Sequence, residues 1–221
     1  MQWVRANRGF LAFLMLLGLF RTAVADWNPV PSGSMHPNIL EGDVVLVNRL
    51  AYNVKVPLTD YVVTPTADPQ RGDVVTFTSP RDGVRLIKRI LAVPGDRVAM
   101  RHKQLTINEM PARYEPEEPG SDRLPVDTPW TAQRFNEHVG TSQHAIQWLE
   151  GVVAYDNFET ITIPQGQYLM LGDNRDNSAD SRYIGLVPRH LLIGKAERVL
   201  VSVDILGSWQ PRWERFGMAL L

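Results

Sequence analysis

Pro31-Ser32-Gly33-Ser34-Met35-His36-Pro37-Asn38-Ile39-Leu40-Glu41-Gly42-Asp43 sets two hydroxyls either side of a glycine and a proline on each flank. An apolar run, Val44-Val45-Leu46-Val47, follows at once and reads as a strand. Proline fixes φ and removes a donor, while Gly33 admits backbone conformations closed to other residues. Ser32 and Ser34 therefore sit on a stiff, tightly turned loop that enters a strand. Such a loop is either a plain turn or a mount that aims a nucleophile.

Outward from this loop the pattern stays that of short strands between turn residues. Arg71-Gly72-Asp73 leads into Val74-Val75-Thr76-Phe77-Thr78, and a turn cluster at 79–83 precedes Leu86-Ile87-Lys88-Arg89-Ile90-Leu91-Ala92-Val93, which Pro94-Gly95-Asp96 stops. Period-two alternation puts Lys88 on one strand face with Leu86, Ile90 and Ala92. An edge-strand lysine with its ammonium in water is one reading of that placement. A buried lysine is the other. At a pKa of about 10.4 a lysine is neutral roughly once in 2,500 molecules at pH 7, whereas full burial lowers that pKa by about 3 to 5 units. Only the neutral amine can take a proton from a serine hydroxyl.

Further on, the strand Tyr168-Leu169-Met170-Leu171 runs into Gly172-Asp173-Asn174-Arg175-Asp176-Asn177-Ser178-Ala179-Asp180-Ser181-Arg182-Tyr183. Alternating Asp and Asn fit a cation loop, but the central glycine and terminal glutamate of an EF-hand are missing. A loop bonded through its own Asx side chains is the general alternative.

Three motifs thus stand in order: Pro-Ser-Gly-Ser-Met, Ile-Lys-Arg followed by Pro-Gly-Asp, and Gly-Asp-Asn-x-x-x-Ser-x-Asp-Ser-Arg. In that order they resemble the motifs of type I signal peptidases, membrane-bound serine proteases that remove leader peptides, over about Trp27 to Val203. The resemblance implies a mostly β fold with an antiparallel, barrel-like catalytic core, an inserted β-rich lobe and one N-terminal transmembrane helix. It makes Ser34 the nucleophile and Lys88, 54 residues away, the general base. The oxyanion would meet the Ser34 N–H and the Ser32 hydroxyl. It also implies that Ser178 accepts a hydrogen bond from Lys88, that Asp173, Asp180 and Arg182 brace the last loop by ion pairing, and that Arg89 is a partner for Asp173. Met35 lines a substrate pocket or belongs to the core. Expected partners are exported preproteins cut after small-x-small sites, and membrane lipid; no cofactor and no metal are expected. His36 and Asn38 inside the first motif, a single short anchor and a long insertion depart from the family pattern.

Composition narrows the class. In 221 residues, 44% of them hydrophobic, Lys plus Arg number 23 and Asp plus Glu 24, for a net charge of -1. A nucleic-acid binder would be expected to show a basic excess or stripe. Cysteine is absent, which excludes disulfides and thiolate chemistry.

At the N-terminus, Arg5 and Arg8 precede the uncharged run Gly9 to Phe20. Its twelve residues reach only about 18 Å into a hydrocarbon layer about 30 Å thick. Extending the helix to Asp26 brings it near the lower limit for a span and leaves Arg21 to snorkel. Ala23-Val24-Ala25 also fits a cleavable leader. The resemblance implies a retained anchor in the bacterial inner membrane, with Arg5 and Arg8 cytoplasmic and the chain after about Trp27 on the periplasmic side.

The division expected is an anchor (1–27), a catalytic core (28–102 and 165–208), an inserted lobe (103–164) and an amphipathic tail (209–221). The lobe carries Pro111, Pro116, Pro119, Pro125 and Pro129 among Glu115, Glu117, Glu118, Asp122 and Asp127. Gln104–Asn108 and Thr160–Ile163 are its strand candidates, and His138 and His144 read as surface residues. In the tail, Trp209, Trp213, Phe216 and Leu220 fall on one face of a short helix that packs on the core or touches lipid. Three rivals share parts of this pattern. A self-cleaving SOS-repressor-type protease needs a DNA-binding segment for which residues 1–30 leave no room. A specialised processing peptidase, such as one serving conjugative pili, would carry the same motifs, and an inactive anchored module would bind leaders without cutting them.

Overall fold

The computed structural model describes residue 3 and residues 6–59, 61–117 and 130–220. Arg5 and the acidic, proline-containing positions Glu118, Pro119, Asp122, Pro125, Asp127 and Pro129 lie outside the described residues. In order, the chain forms α1 (Arg8–Ala23), β1 (Ala25–Pro29), β2 (Asp43–Asn48), β3 (Asn53–Lys55), β4 (Val62–Pro65), β5 (Val74–Thr78), β6 (Arg85–Ala92), β7 (Arg97–Arg101), β8 (Gln104–Ile107) and β9 (Met110–Pro111). There follow β10 (Arg113–Pro116), β11 (Ala132–Val139), β12 (Ser142–Leu149), β13 (Phe158–Thr162), β14 (Gln167–Leu171), the one-turn helix α2 (Ser181–Ile184), β15 (Val187–Pro188) and β16 (Leu192–Ser202).

The principal sheet has seven strands in the order β1-β2-β16-β5-β6-β14-β15, and each neighbouring pair is antiparallel. Strand β16 runs through its centre, pairing with both β2 and β5 across several register shifts. Such irregularities bend a strand and raise its twist, so the sheet curls instead of lying flat. Gly194 on β16 permits one of these close approaches, since a Cβ there would stand 2.4 Å from the Asn48 carbonyl oxygen.

Beside it lie a four-stranded sheet, β13-β7-β8-β9, a three-stranded one, β10-β11-β12, and the β3-β4 ribbon. Leu91, Ala92, Leu169 and Leu171 of the principal sheet pack in one buried cluster with Val98, Met100, Leu105, Ile107 and Ile163. The strands of the four-stranded sheet therefore share a core with the principal sheet, and that second sheet begins at Arg97, whereas the expected lobe begins at 103. The β11–β12 hairpin was not legible as strands in the sequence, where polar and apolar residues alternate unevenly.

Two terminal expectations need correction. Helix α1 stops at Ala23, because the chain turns into β1, whose Ala25 to Pro29 pair with Asn48 to Val44 of β2. Asp26 is a buried strand residue that accepts from Arg21 Nε at 2.8 Å and Arg85 Nη1 at 3.1 Å. Among the described residues no helix is long and apolar enough to cross a membrane. The tail is not a helix either: only Trp213–Arg215 makes a single 3-10 turn. Arg215 pins it, donating from Nη2 to Asp43 Oδ2 at 2.6 Å and to the Asn38 carbonyl at 2.9 Å. Leu220 then enters the core, while Trp209 and Trp213 stay 70% and 71% exposed.

Candidate active site

The 31–42 loop is closed at its base by backbone bonds from Val30 N–H to Asp43 O at 2.8 Å and from Gly42 N–H to Val30 O at 3.0 Å. Inside it, Met35 and Ile39 turn down into a cluster with Val30, Val45, Val47, Val74 and Val199, and both are fully buried. Met35 is thus a core residue of this loop, and the anchoring leaves its neighbour Ser34 facing the other way. His36 Nε2 lies 2.5 Å from Glu41 Oε2 and staples the two arms together. Gly33 sits against that pair, where a Cβ would stand 2.6 Å from Glu41 Oε1.

Lys88 comes to this loop from the middle of β6. Its Nζ is 2.6 Å from Ser34 Oγ and 2.8 Å from the Ile87 carbonyl oxygen. The lysine is only 2% exposed. Leu86 and Ile90, which alternate in phase with it, pack with Val75, Phe77 and Met170. Burial pulls the Lys88 pKa down to about 8, against an opposing pull from the Asp180 and Asp173 carboxylates. At pH 7 roughly one such amine in ten is then neutral, against one in a few thousand for an ordinary lysine.

The 172–183 loop holds Ser34 from the other side. Asp173 accepts Arg89 Nε at 2.9 Å and Nη2 at 2.8 Å, and both side chains are buried. Burial disfavours the Asp173 carboxylate, but the Arg89 charge and hydrogen bond outweigh it and hold the group below its ordinary range. Asp180 caps α2, accepts Gly172 N–H at 3.0 Å and is gripped by Arg182 through Nε at 2.8 Å and Nη2 at 2.7 Å. Asn174 N–H donates to the Ser34 carbonyl at 3.1 Å. A Cβ on Gly172 would meet Ser178 Oγ at 2.3 Å and Ser34 O at 2.5 Å. The second atom is backbone and cannot swing away, so Gly172→Ala is expected to displace Ser34. A loss of about 10²-fold or more in kcat/KM is the expected result, and a kinetic comparison with wild type checks it.

Ser178 differs from expectation. Lys88 Nζ is directed to Ser34 and to the Ile87 carbonyl, and the buried Ser178 hydroxyl has no hydrogen-bond partner among the described residues. It lies over Gly172 instead.

A family model described as signal peptidase, peptidase S26, matches residues 1–201. Signal peptidase I of Pseudomonas aeruginosa is 35% identical over 230 positions, covering 97% of this chain and 78% of the relative. That of Pseudomonas fluorescens is 34% identical over 97% of this chain and 78% of the relative, and that of Rickettsia prowazekii 30% over 91% and 82%. The chain belongs to the signal peptidase family, peptidase S26. It is a serine endopeptidase that removes signal peptides from preproteins. A solved signal peptidase I from Enterococcus faecalis is 29% identical and covers 58% of this chain and 97% of its own, with a TM-score of 0.35.

Within this signal peptidase site, a buried polar network that the sequence reading missed links the last loop to the β11–β12 hairpin. Arg175 Nη1 donates to Glu137 Oε1 at 2.7 Å, and His144 Nε2 lies 3.1 Å from Glu137 Oε2. Burial opposes the Glu137 charge, yet Arg175 keeps its carboxyl well below the usual range. His144 is buried, not a surface residue, because Ser142–Leu149 is a strand that turns His144 and Ile146 inward. Burial and the nearby Arg89 charge push its pKa down. His138 is partly exposed, with Nε2 3.2 Å from Glu115 Oε2. Backbone bonds tie the same hairpin to the loop: Gln147 N–H to Asp173 O at 2.9 Å and Arg175 N–H to Gln147 O at 3.0 Å. Only Asn174 and Arg175 carried a signal in the sequence, as unassigned members of the third motif. Among the described residues no group of three or more His, Asp or Glu side chains is placed to hold a metal.

Proposed function

We propose that Ser34 and Lys88 form the catalytic dyad of this signal peptidase and that it works at a membrane surface on exported preproteins carrying small residues one and three positions before the cut. The observation that carries the reading is the 2.6 Å approach of Lys88 Nζ to Ser34 Oγ inside an apolar shell. In the acylation step the neutral Lys88 amine takes the hydroxyl proton as Ser34 Oγ attacks the scissile carbonyl. The oxyanion forms against the Ser34 N–H and the Ser32 hydroxyl. The Lys88 ammonium then protonates the leaving amine, and the signal peptide remains as an ester on Ser34. Water, deprotonated by Lys88, hydrolyses that ester and restores both groups. Arg89–Asp173 and Arg182–Asp180 hold the walls of the site in place.

Membrane contact is supported by α1, which has no buried residue and leaves Phe10, Phe13, Met15, Leu16 and Phe20 open. So much uncovered apolar surface on one element calls for a lipid or protein cover. Sixteen residues extend about 24 Å, short of a 30 Å hydrocarbon layer. The helix accordingly serves as an anchor in the bacterial inner membrane, with the strands on the periplasmic side. The test uses the full chain in detergent and an exported preprotein. Wild type is expected to release a signal peptide ending in small-x-small, identified by mass, and Ser34→Ala to release none. Cleavage by Ser34→Ala at the same site would overturn the dyad, and cleavage elsewhere by wild type would overturn the substrate assignment.

A further inference from the structure

The geometry points to Asn174 as a positioning residue that fixes the plane of the Gly33–Ser34 peptide, so that the Ser34 N–H is aimed at the oxyanion before substrate arrives. The inference rests on the Ser34–Lys88 reading and adds to it a residue with no role in the proton transfers. Asn174 holds two successive carbonyls of the nucleophile loop: its Nδ2 donates to Gly33 O at 3.0 Å and its backbone N–H to Ser34 O at 3.1 Å. The peptide between Gly33 and Ser34 is trans. In a trans peptide the carbonyl and the following N–H point in opposite directions. Anchoring the Gly33 carbonyl on Asn174 therefore turns the Ser34 N–H away from the 172–183 loop. That N–H donates to nothing among the described residues.

A second donor reaches the Gly33 carbonyl, the His36 N–H at 3.2 Å, but it belongs to the same tight turn and moves with it. Asn174 brings a reference from outside the turn. It is itself buried and held on both sides, by Gln147 N–H on Asp173 O and by Arg175 N–H on Gln147 O. The Arg175–Glu137 pair then fastens the next residue to the β11–β12 hairpin. This gives the inserted hairpin a mechanical share in the site: it backs the residue that backs the oxyanion donor. An oxyanion donor contributes to rate only if it is oriented before charge develops, so loss of the anchor should appear in kcat and not in substrate binding.

The experiment compares Asn174→Ala and Asn174→Asp with wild type, Ser34→Ala and Lys88→Ala, all as full chains in detergent. Asn174→Asp keeps the shape but replaces the Nδ2 donor with an oxygen that repels the Gly33 carbonyl. For both Asn174 variants kcat is expected to fall about 10- to 100-fold, with KM within about twofold of wild type. The midpoint of the pH profile should not move in Asn174→Ala, which adds no charge near Lys88, whereas the new carboxylate of Asn174→Asp would push it up as Asp173 and Asp180 already do. A peptide aldehyde whose adduct oxygen occupies the oxyanion position should bind more weakly by the same factor as kcat falls, while an uncleaved product peptide binds as before. Wild-type kcat in both variants would overturn the inference, as would a loss shared with product binding or a shifted pH midpoint in Asn174→Ala. If neither variant folds by thermal melting, Asn174 serves the fold and the inference also fails. Inactive Ser34→Ala and Lys88→Ala beside active Asn174 variants would sink this inference alone. Activity in the two dyad variants would sink the reading beneath it.

Discussion

Lys88→Ala should leave a folded enzyme that cleaves a preprotein about 10⁴-fold more slowly than wild type, or worse. The size of the effect follows from what the amine does. Ser34 Oγ has no other hydrogen-bond partner among the described residues, so nothing else is placed to take its proton. Truncation also exchanges a desolvated amine for a small void among Leu86, Ile90 and their neighbours, two changes of opposite sign in stability. Lys88→Met, which refills that space, should melt near wild type and be equally inactive. Single-turnover cleavage with purified variants decides the matter, and activity within tenfold of wild type in Lys88→Met would place the base elsewhere.

Asp173→Ala is expected to cost about 3 to 5 kcal/mol of stability, because it removes the carboxylate that accepts two nitrogens of the buried Arg89 guanidinium. The wild-type pair is made through two nitrogens, and both partners are 1% exposed in their side chains, so water cannot replace the lost charge. Asn38 Nδ2 loses one of its two acceptors in the same change, the one at 2.6 Å, and keeps the Ala145 carbonyl at 2.7 Å. Because Asp173 opens the segment whose next residue holds Ser34, activity should fall along with stability. Asp173→Asn retains one acceptor and should fall between the two. Urea unfolding of the three proteins measures the effect, and an Asp173→Ala curve superimposed on wild type would show that the pair contributes nothing.

How much of this was legible beforehand depended on whether a residue's environment is local in sequence. The strands around Val44, Val74, Leu86 and Tyr168 announced themselves, since each is an apolar run between Gly, Pro or Asp turns. Ser34 and Lys88 were legible because short motifs carry them. The β11–β12 hairpin was not: His144, Gln147 and Glu137 are polar residues buried by contacts with Arg175 and the loop near it, and local polarity favours a surface reading. The tail misled for the opposite reason. Its aromatic spacing fits a helix, but Pro211, Gly217 and the Arg215–Asp43 pair decide the path of the chain. Strand β1 likewise claims Ala25 and Asp26 through pairing with β2, a long-range contact that outweighs the helical continuation of the apolar run.

The most direct test of the account is the pH dependence of single-turnover acylation by wild type between pH 6 and 10. Burial places the Lys88 pKa at about 8, and the proposed dyad requires the neutral amine. The rate is therefore predicted to be low at pH 6, to rise tenfold per pH unit below the midpoint, and to level off above about pH 9. A profile that is flat across the range, with acylation rate-limiting, would contradict a titrating lysine base at the centre of this site.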